Sequence, residues 1–167
     1  MKKAVFLDRD GIINSDNGLY YISDPDEFRL NPGIAELLKW LSDKGFLLII
    51  ISNQGGIAKG IYGPADTERV HRKMIELLAP SGVRFAEIYY CPHHPDVSRC
   101  LCRKPGTVMI EKGLARFDID PSLSLFIGDR ETDMEAGRNA GLKTLLAEPN
   151  QDMMLLTERI SELLQLS

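Results

Sequence analysis

Apolar residues fall into short continuous runs separated by stretches with helical spacing. Residues 4–7, 47–51, 85–90, 123–127 and 144–147 are such runs, rich in Val, Ile, Leu and aromatic side chains. Runs without polar alternation predict strands covered on both faces, as in parallel sheets. Between the first two, Ile34, Leu37, Leu38 and Leu41 recur on one helical face. Asn31-Pro32 reads as the cap and first turn of that helix, and Gly45 as its exit. A second helix over 65–78 carries Val70, Met74, Leu77 and Leu78. A third over 107–117 carries Met109, Ile110, Leu114 and Phe117. A fourth over 132–140 opens with a capping box from Thr132 to Glu135. Leu156, Ile160, Leu163 and Leu164 mark a fifth. The alternation predicts the α/β class: a three-layer α/β/α sandwich around a doubly wound, mainly parallel sheet.

Composition narrows this picture. A chain of 167 residues suits one domain over 1–167 with its own core. Lys and Arg number 20 against 24 Asp and Glu, a net charge of −4 that argues against nonspecific nucleic-acid binding. No apolar run approaches the length of a membrane span, and Asp8 interrupts the N-terminal run too early for a signal peptide. The expectation is a cytoplasmic monomer with neither a membrane nor a nucleic acid as partner. The stretch between the second strand and second helix, 53–64, is too short for an inserted cap domain.

In such sheets ligands bind beyond the carboxyl ends of the strands. Those ends carry Asp8-Arg9-Asp10-Gly11, Ser52-Asn53-Gln54-Gly55, Cys91-Pro92-His93 and Gly128-Asp129. Carboxylates gathered at one edge repel unless a cation neutralises them, and an all-oxygen ligand set suits Mg²⁺. Asp133 reads either as part of that group or as an acid in the first turn of a helix. Ser52 and Asn53 offer neutral donors, Lys104 a positive charge, and Gly55 and Gly56 close backbone approach to an anion. The three cysteines all lie between Cys91 and Cys102. Cys91-x-His93 followed by Cys100-x-Cys102 offers three thiolates and an imidazole, enough for a closed tetrahedral Zn²⁺ site of structural type. His94 adjoins His93 and can take its place. Such a loop at 91–102 runs into Arg103-Lys104 and would turn both cations toward a phosphate. His71, alone on a polar helix face, reads as uninvolved. With Lys59 and Arg99, these cations predict a basic mouth for a small phosphorylated metabolite.

Asp8-x-Asp10-Gly11, Ser52, Lys104-Pro105 and Gly128-Asp129-x-x-x-Asp133 together resemble the four-motif signature of the haloacid dehalogenase superfamily. The resemblance implies strand order 3-2-1-4-5 and Asp8 as a nucleophile forming an aspartyl-phosphate. It implies Asp10 as the acid and then the base, and Mg²⁺ on Asp8, the Asp10 carbonyl and Asp129. It further implies Ser52 and Lys104 on the phosphoryl oxygens. An acid two residues after the nucleophile is the phosphatase form of the motif.

Cys91-Pro92-His93-His94-Pro95 and Cys100-x-Cys102-Arg103-Lys104-Pro105 resemble the zinc-bearing subgroup of these phosphatases. That subgroup holds D,D-heptose 1,7-bisphosphate 7-phosphatases and histidinol-phosphate phosphatases. Asp8-Arg9-Asp10-Gly11, Asp16-Asn17-Gly18 and the segment from Ser52 to Gly60 resemble the heptose enzymes more closely. The implied activity is Mg²⁺-dependent removal of the 7-phosphate, with histidinol phosphate or another small phosphorylated metabolite as the alternative substrate. By the same resemblance Asp16, Asn17, Gly18, Leu19, Ser52, Asn53, Gln54 and Gly55 contact the sugar and its phosphate. Arg103 recognises the second phosphate, and Arg130 flanks the site. A signalling receiver domain fits poorly, because Cys91 stands where its phosphorylated aspartate would follow the third strand.

Overall fold

The computed structural model of the protein describes residues 1–166. In chain order the elements are β1 (Ala4–Leu7), β2 (Asn14–Ser15), β3 (Arg29–Leu30), α1 (Ile34–Asp43), β4 (Leu47–Asn53) and α2 (Pro64–Leu78). They continue with β5 (Glu87–Cys91), α3 (Val108–Phe117), β6 (Leu125–Gly128), α4 (Glu131–Asn139), β7 (Lys143–Leu146) and α5 (Thr157–Leu164). Five strands form one sheet in the order β5-β4-β1-β6-β7, with every neighbouring pair parallel. Counting those five alone, the order is 3-2-1-4-5. β2 and β3 form a small antiparallel pair of their own.

The period of two along each strand sorts side chains into two cores. Val5, Leu7, Leu48, Ile50, Leu125 and Ile127 pack with Leu37, Val70, Met74 and Ile160 from α1, α2 and α5. Ala4, Phe6, Ile49, Ile51 and Phe126 pack with Met109, Ile110 and Met134 from α3 and α4. This is the three-layer sandwich expected from the continuous apolar runs. Each fully buried Ile or Leu stabilises the fold by roughly 1.5–3 kcal/mol relative to exposure. β1, buried at every position, therefore anchors the middle of the sheet and fixes the chain that leaves its end. Among the described residues no helix is long and apolar enough to cross a membrane.

Local details depart from the sequence expectations for identifiable reasons. Asn31 does not cap α1; Gly33 holds that position at a φ of 72°. The Asn31 side chain instead donates at 3.0 Å to the carbonyls of Gly11 and Ile12, bracing the chain after β1. The Thr132–Glu135 box does not form, because α4 begins one residue earlier. The carboxylate of Asp133 accepts the Arg130 amide at 3.2 Å in its place. Residues 121–123 form a 3-10 turn capped by Asp120, so Leu123 is exposed and the strand starts at Leu125. His71 is buried, not displayed on a polar face.

Candidate active site

Parallel pairing brings the carboxyl ends of β1, β4, β5 and β6 to one edge. The Asp8 amide still donates to the Ile127 carbonyl at 3.0 Å, so Asp8 is the first residue to leave the sheet and its backbone is fixed. Lys104 reaches the same point from a distant loop. Its backbone is clasped to the end of β4. The Asn53 side chain accepts from the Lys104 amide at 3.0 Å and donates to the Lys104 carbonyl at 3.2 Å. The buried Lys104 Nζ then lies 2.8 Å from Asp8 Oδ1, 2.7 Å from Asp133 Oδ1 and 2.8 Å from the Ile51 carbonyl.

Carboxylate oxygens of Asp8, Asp129 and Asp133 all lie within 4.8 Å of one another. With Lys104 as the one ammonium in contact, this group carries two excess negative charges when fully ionised. Burial pushes the Asp8 carboxyl up to about 8, against the pull of Lys104 and with the push of Asp133 and Asp129. Burial and Asp133 raise Asp129 as well, with Arg130 opposing. Burial alone would lower Lys104, but Asp8 and Asp133 override it and hold the ammonium charged. Asp129 Oδ1 is buried without a hydrogen-bond partner. That orphaned oxygen, the hard oxygen donors and the charge deficit fit one divalent cation such as Mg²⁺. Two glycines make room for the group. A Cβ at Gly128 would lie 2.4 Å from Asp133 Cβ. Gly11 has a φ of 89°, and a Cβ there would lie 2.3 Å from Asp129 Oδ2.

Asp10 stands beside this group and faces an open cavity of about 660 Å³. Its carboxylate accepts from Arg9 Nε and Nη2 at 3.1 Å each and from Asn14 at 3.0 Å. Gln54 donates to it at 3.3 Å, and to Ser52 Oγ at 2.7 Å. The Tyr62 hydroxyl donates to Gln54 Oε1 at 2.6 Å and fixes the orientation of that amide. Ser52 and Gln54 are thus buried supports, whereas Asn53 and Gly55 line the cavity.

Lys104, Arg99, Arg103 and Arg130 line the cavity together with the acids Asp8, Asp10, Glu131 and Asp133, and Tyr20 and Tyr21 form its aromatic wall. The Arg130 guanidinium lies 6.0 Å from the Tyr20 ring centre. The expected sugar contacts are placed unevenly. Asp16, Asn17, Gly18 and Leu19 form an exposed turn outside the cavity lining. Asp16 Oδ1 accepts from the Gly18 amide at 3.0 Å and the Asn150 side chain at 3.1 Å. The Asn17 side chain donates to the Glu27 carbonyl at 2.7 Å. The turn leads directly into Tyr20 and Tyr21, which do line the cavity. Glu131 also lines the cavity, as do His94 and Thr132, which the sequence pattern marks for other roles, as an alternative zinc ligand and a helix cap. Lys59 lies outside the cavity lining and pairs with Asp96 at 3.3 Å.

The cysteines converge on a second point. Cys91 Sγ lies 3.0 Å from Cys102 Sγ, 3.6 Å from Cys100 Sγ and 3.5 Å from His93 Nδ1. His93 Nδ1 is 3.3 Å from Cys102 Sγ. Four donors this close, three of them sulfur, fit a tetrahedral Zn²⁺. Burial pushes the Cys91 thiol up, so a thiolate there calls for a cation. His94 Nδ1 turns instead to the Asp96 amide at 3.2 Å, which leaves His93 as the imidazole of the cluster.

Comparison with known proteins gives these two centres a context. The family model described as HAD-hyrolase-like matches residues 101–152. The chain is 40% identical to the D-glycero-beta-D-manno-heptose-1,7-bisphosphate 7-phosphatase of Haemophilus ducreyi, over 86% of this chain and 81% of that one. It is also 40% identical to the corresponding alpha-heptose enzyme of Campylobacter jejuni, over 86% and 81%. Its structure superposes with a TM-score of 0.83 on a D,D-heptose 1,7-bisphosphate phosphatase from B. bronchiseptica complexed with magnesium and phosphate. That match has 32% identity and covers 95% of this chain and 87% of the other. The protein is a phosphoric monoester hydrolase on the haloacid dehalogenase-like fold. Within that class the chain belongs to the family of the heptose-1,7-bisphosphate 7-phosphatases.

Proposed function

We propose that the protein removes the 7-phosphate of D-glycero-D-manno-heptose 1,7-bisphosphate through an aspartyl-phosphate on Asp8. The observation that carries this reading is the contact of a buried Asp8 with Lys104, beside Asp129 and Asp133, in a cavity that Arg99, Arg103 and Arg130 also line. The names of the relatives supply the substrate.

Lys104 orients Asp8 so that one carboxylate oxygen is free to attack phosphorus. The bond from phosphorus to the C7 oxygen breaks as the new bond forms, and Asp10 gives its proton to the departing alkoxide. Water then attacks the aspartyl-phosphate, Asp10 takes the water proton, and inorganic phosphate and Asp8 are regenerated. Asp8, the Asp10 carbonyl and Asp129 would hold Mg²⁺, which would supply charge neutralisation at the phosphoryl oxygens. Asn53 and Lys104 supply donors there, with Ser52 as a buried support at the end of β4, while Arg103 and Arg130 hold the distal phosphate and the sugar. Cys91, His93, Cys100 and Cys102 would hold Zn²⁺ in a structural role, since four protein donors would leave no open position for substrate. Thiolate ligands suit a reducing compartment, so we place the enzyme in the cytoplasm. All these groups lie on one chain, and a monomer suffices for the chemistry.

Steady-state phosphate release from heptose 1,7-bisphosphate and from histidinol phosphate tests the assignment. The expected result is a higher kcat/KM for the bisphosphate. A preference for histidinol phosphate would overturn it.

A further inference from the structure

Arg9 is a fully buried arginine. Its planar guanidinium is held on three sides. Nε and Nη2 grip both oxygens of Asp10 at 3.1 Å, Nη2 also donates to the Ile22 carbonyl at 3.0 Å, and Nη1 lies 3.3 Å from His71 Nε2. His71 belongs to α2, 62 residues further along the chain, and its ring packs edge-on against Tyr90 at 5.7 Å. Since a guanidinium only donates, His71 Nε2 is the acceptor and its proton sits on Nδ1. Burial, followed by the Arg9 charge, pushes His71 down to about 3, so the ring stays neutral under any working condition.

We propose that His71 is a positioning residue for proton transfer at Asp10, acting through Arg9. The guanidinium is rigid, so a fixed Nη1 end fixes the Nε–Nη2 edge that meets the carboxyl group. Asp10 needs such a hold, because its side chain is 30% exposed at the cavity wall. Without the imidazole acceptor, a buried N–H is left unpaired and the fork reorients. α2 thereby sets the angle at which the acid meets the leaving oxygen, although none of its residues touches substrate. The inference rests on the reading of Asp10 as the proton-transfer residue.

The test compares kcat/KM for two phosphate monoesters in His71→Leu, His71→Gln and Asp10→Asn. One ester is an alkyl phosphate, whose alkoxide needs a proton. The other is 4-nitrophenyl phosphate, whose leaving group departs without one. This constant reports the steps through the first phosphoryl transfer, so it isolates the acid role. Asp10→Asn should lose on the order of 10²–10⁴ on the alkyl ester and far less on the aryl ester. His71→Leu should show the same asymmetry at roughly tenfold, a fraction of what the acid itself supplies. His71→Gln, which restores an acceptor, should recover most of it. Should His71→Leu fail to fold, Arg9→Lys serves, keeping the charge but losing the fork, with the same asymmetry expected. Equal losses on both esters, or none, in the folded variant would overturn the positioning role while Asp10→Asn keeps its asymmetry. Symmetric loss in Asp10→Asn would overturn the role of Asp10 and the proposal with it.

Discussion

Asp8 illustrates how one residue acquires reactivity from its neighbours. Lys104 holds one of its oxygens, and Asp129 and Asp133 crowd it with negative charge. Replacing the nucleophile by its amide, Asp8→Asn, should cut turnover below about one thousandth of the parent while far-ultraviolet circular dichroism stays unchanged. Turnover near normal would exclude the covalent route. Gly128 gives a second prediction at this scale. A Cβ there collides with Asp133 Cβ, so Gly128→Ala should destabilise by about 1–3 kcal/mol in urea unfolding and weaken Mg²⁺ binding. Asp8 and Asp129 were legible in the sequence because polar groups at the ends of apolar runs stand out, and Lys104 because the cysteine loop runs straight into it. Arg9 and His71 were not. A buried cation and its imidazole partner leave no trace in hydropathy, and their contact spans 62 residues.

At the scale of elements, the loop from Cys91 to Cys102 has no regular structure beyond the end of β5, and its three thiols converge with His93 on one point. The proposed Zn²⁺, read by elemental analysis, should be present in the parent and lost in Cys100→Ser, with a lower melting temperature. Intrinsic chemistry should decline only as Arg103 and Lys104 lose their placement. A metal-free variant with full activity and unchanged melting would remove the structural role. The start of α4 yields a contrasting expectation. Since Asp133 takes the capping bond, Thr132→Ala should change stability by no more than about 0.5 kcal/mol in denaturant unfolding. Thr132 and Glu135 fit the spacing of a capping box, but the packing that admits Asp133 against Gly128 decided where the helix begins. The five strands of the main sheet were legible, since every apolar run became one; β2 and β3, two residues each, carry no apolar run and were not. Strand ends were not, because the 3-10 turn at 121–123 uses the same residue types.

For the whole molecule, the acidic cluster couples metal binding, protonation and stability. Without a cation, Asp8 is raised from 3.8 to about 8, above its value in the unfolded chain. Its contribution is then fully present below about pH 4 and is lost as pH rises through about 8. The melting temperature of the metal-free protein should fall across that window. Mg²⁺, which replaces the proton, should raise it more near pH 8 than near pH 5. Equal Mg²⁺ shifts at both pH values in a thermal-shift series would contradict this linkage. The short passage from β4 to α2 has a different kind of consequence. With only residues 54–63 between them, nothing folds over the cavity from that side. What the cavity accepts is therefore written in surface segments such as the turn before Tyr20 and the cysteine loop, remote from the interior packing. Such a scaffold is open to retargeting: laboratory selection can rewrite those segments in sequence and length, and leave the hydrophobic interior and the reacting aspartates untouched.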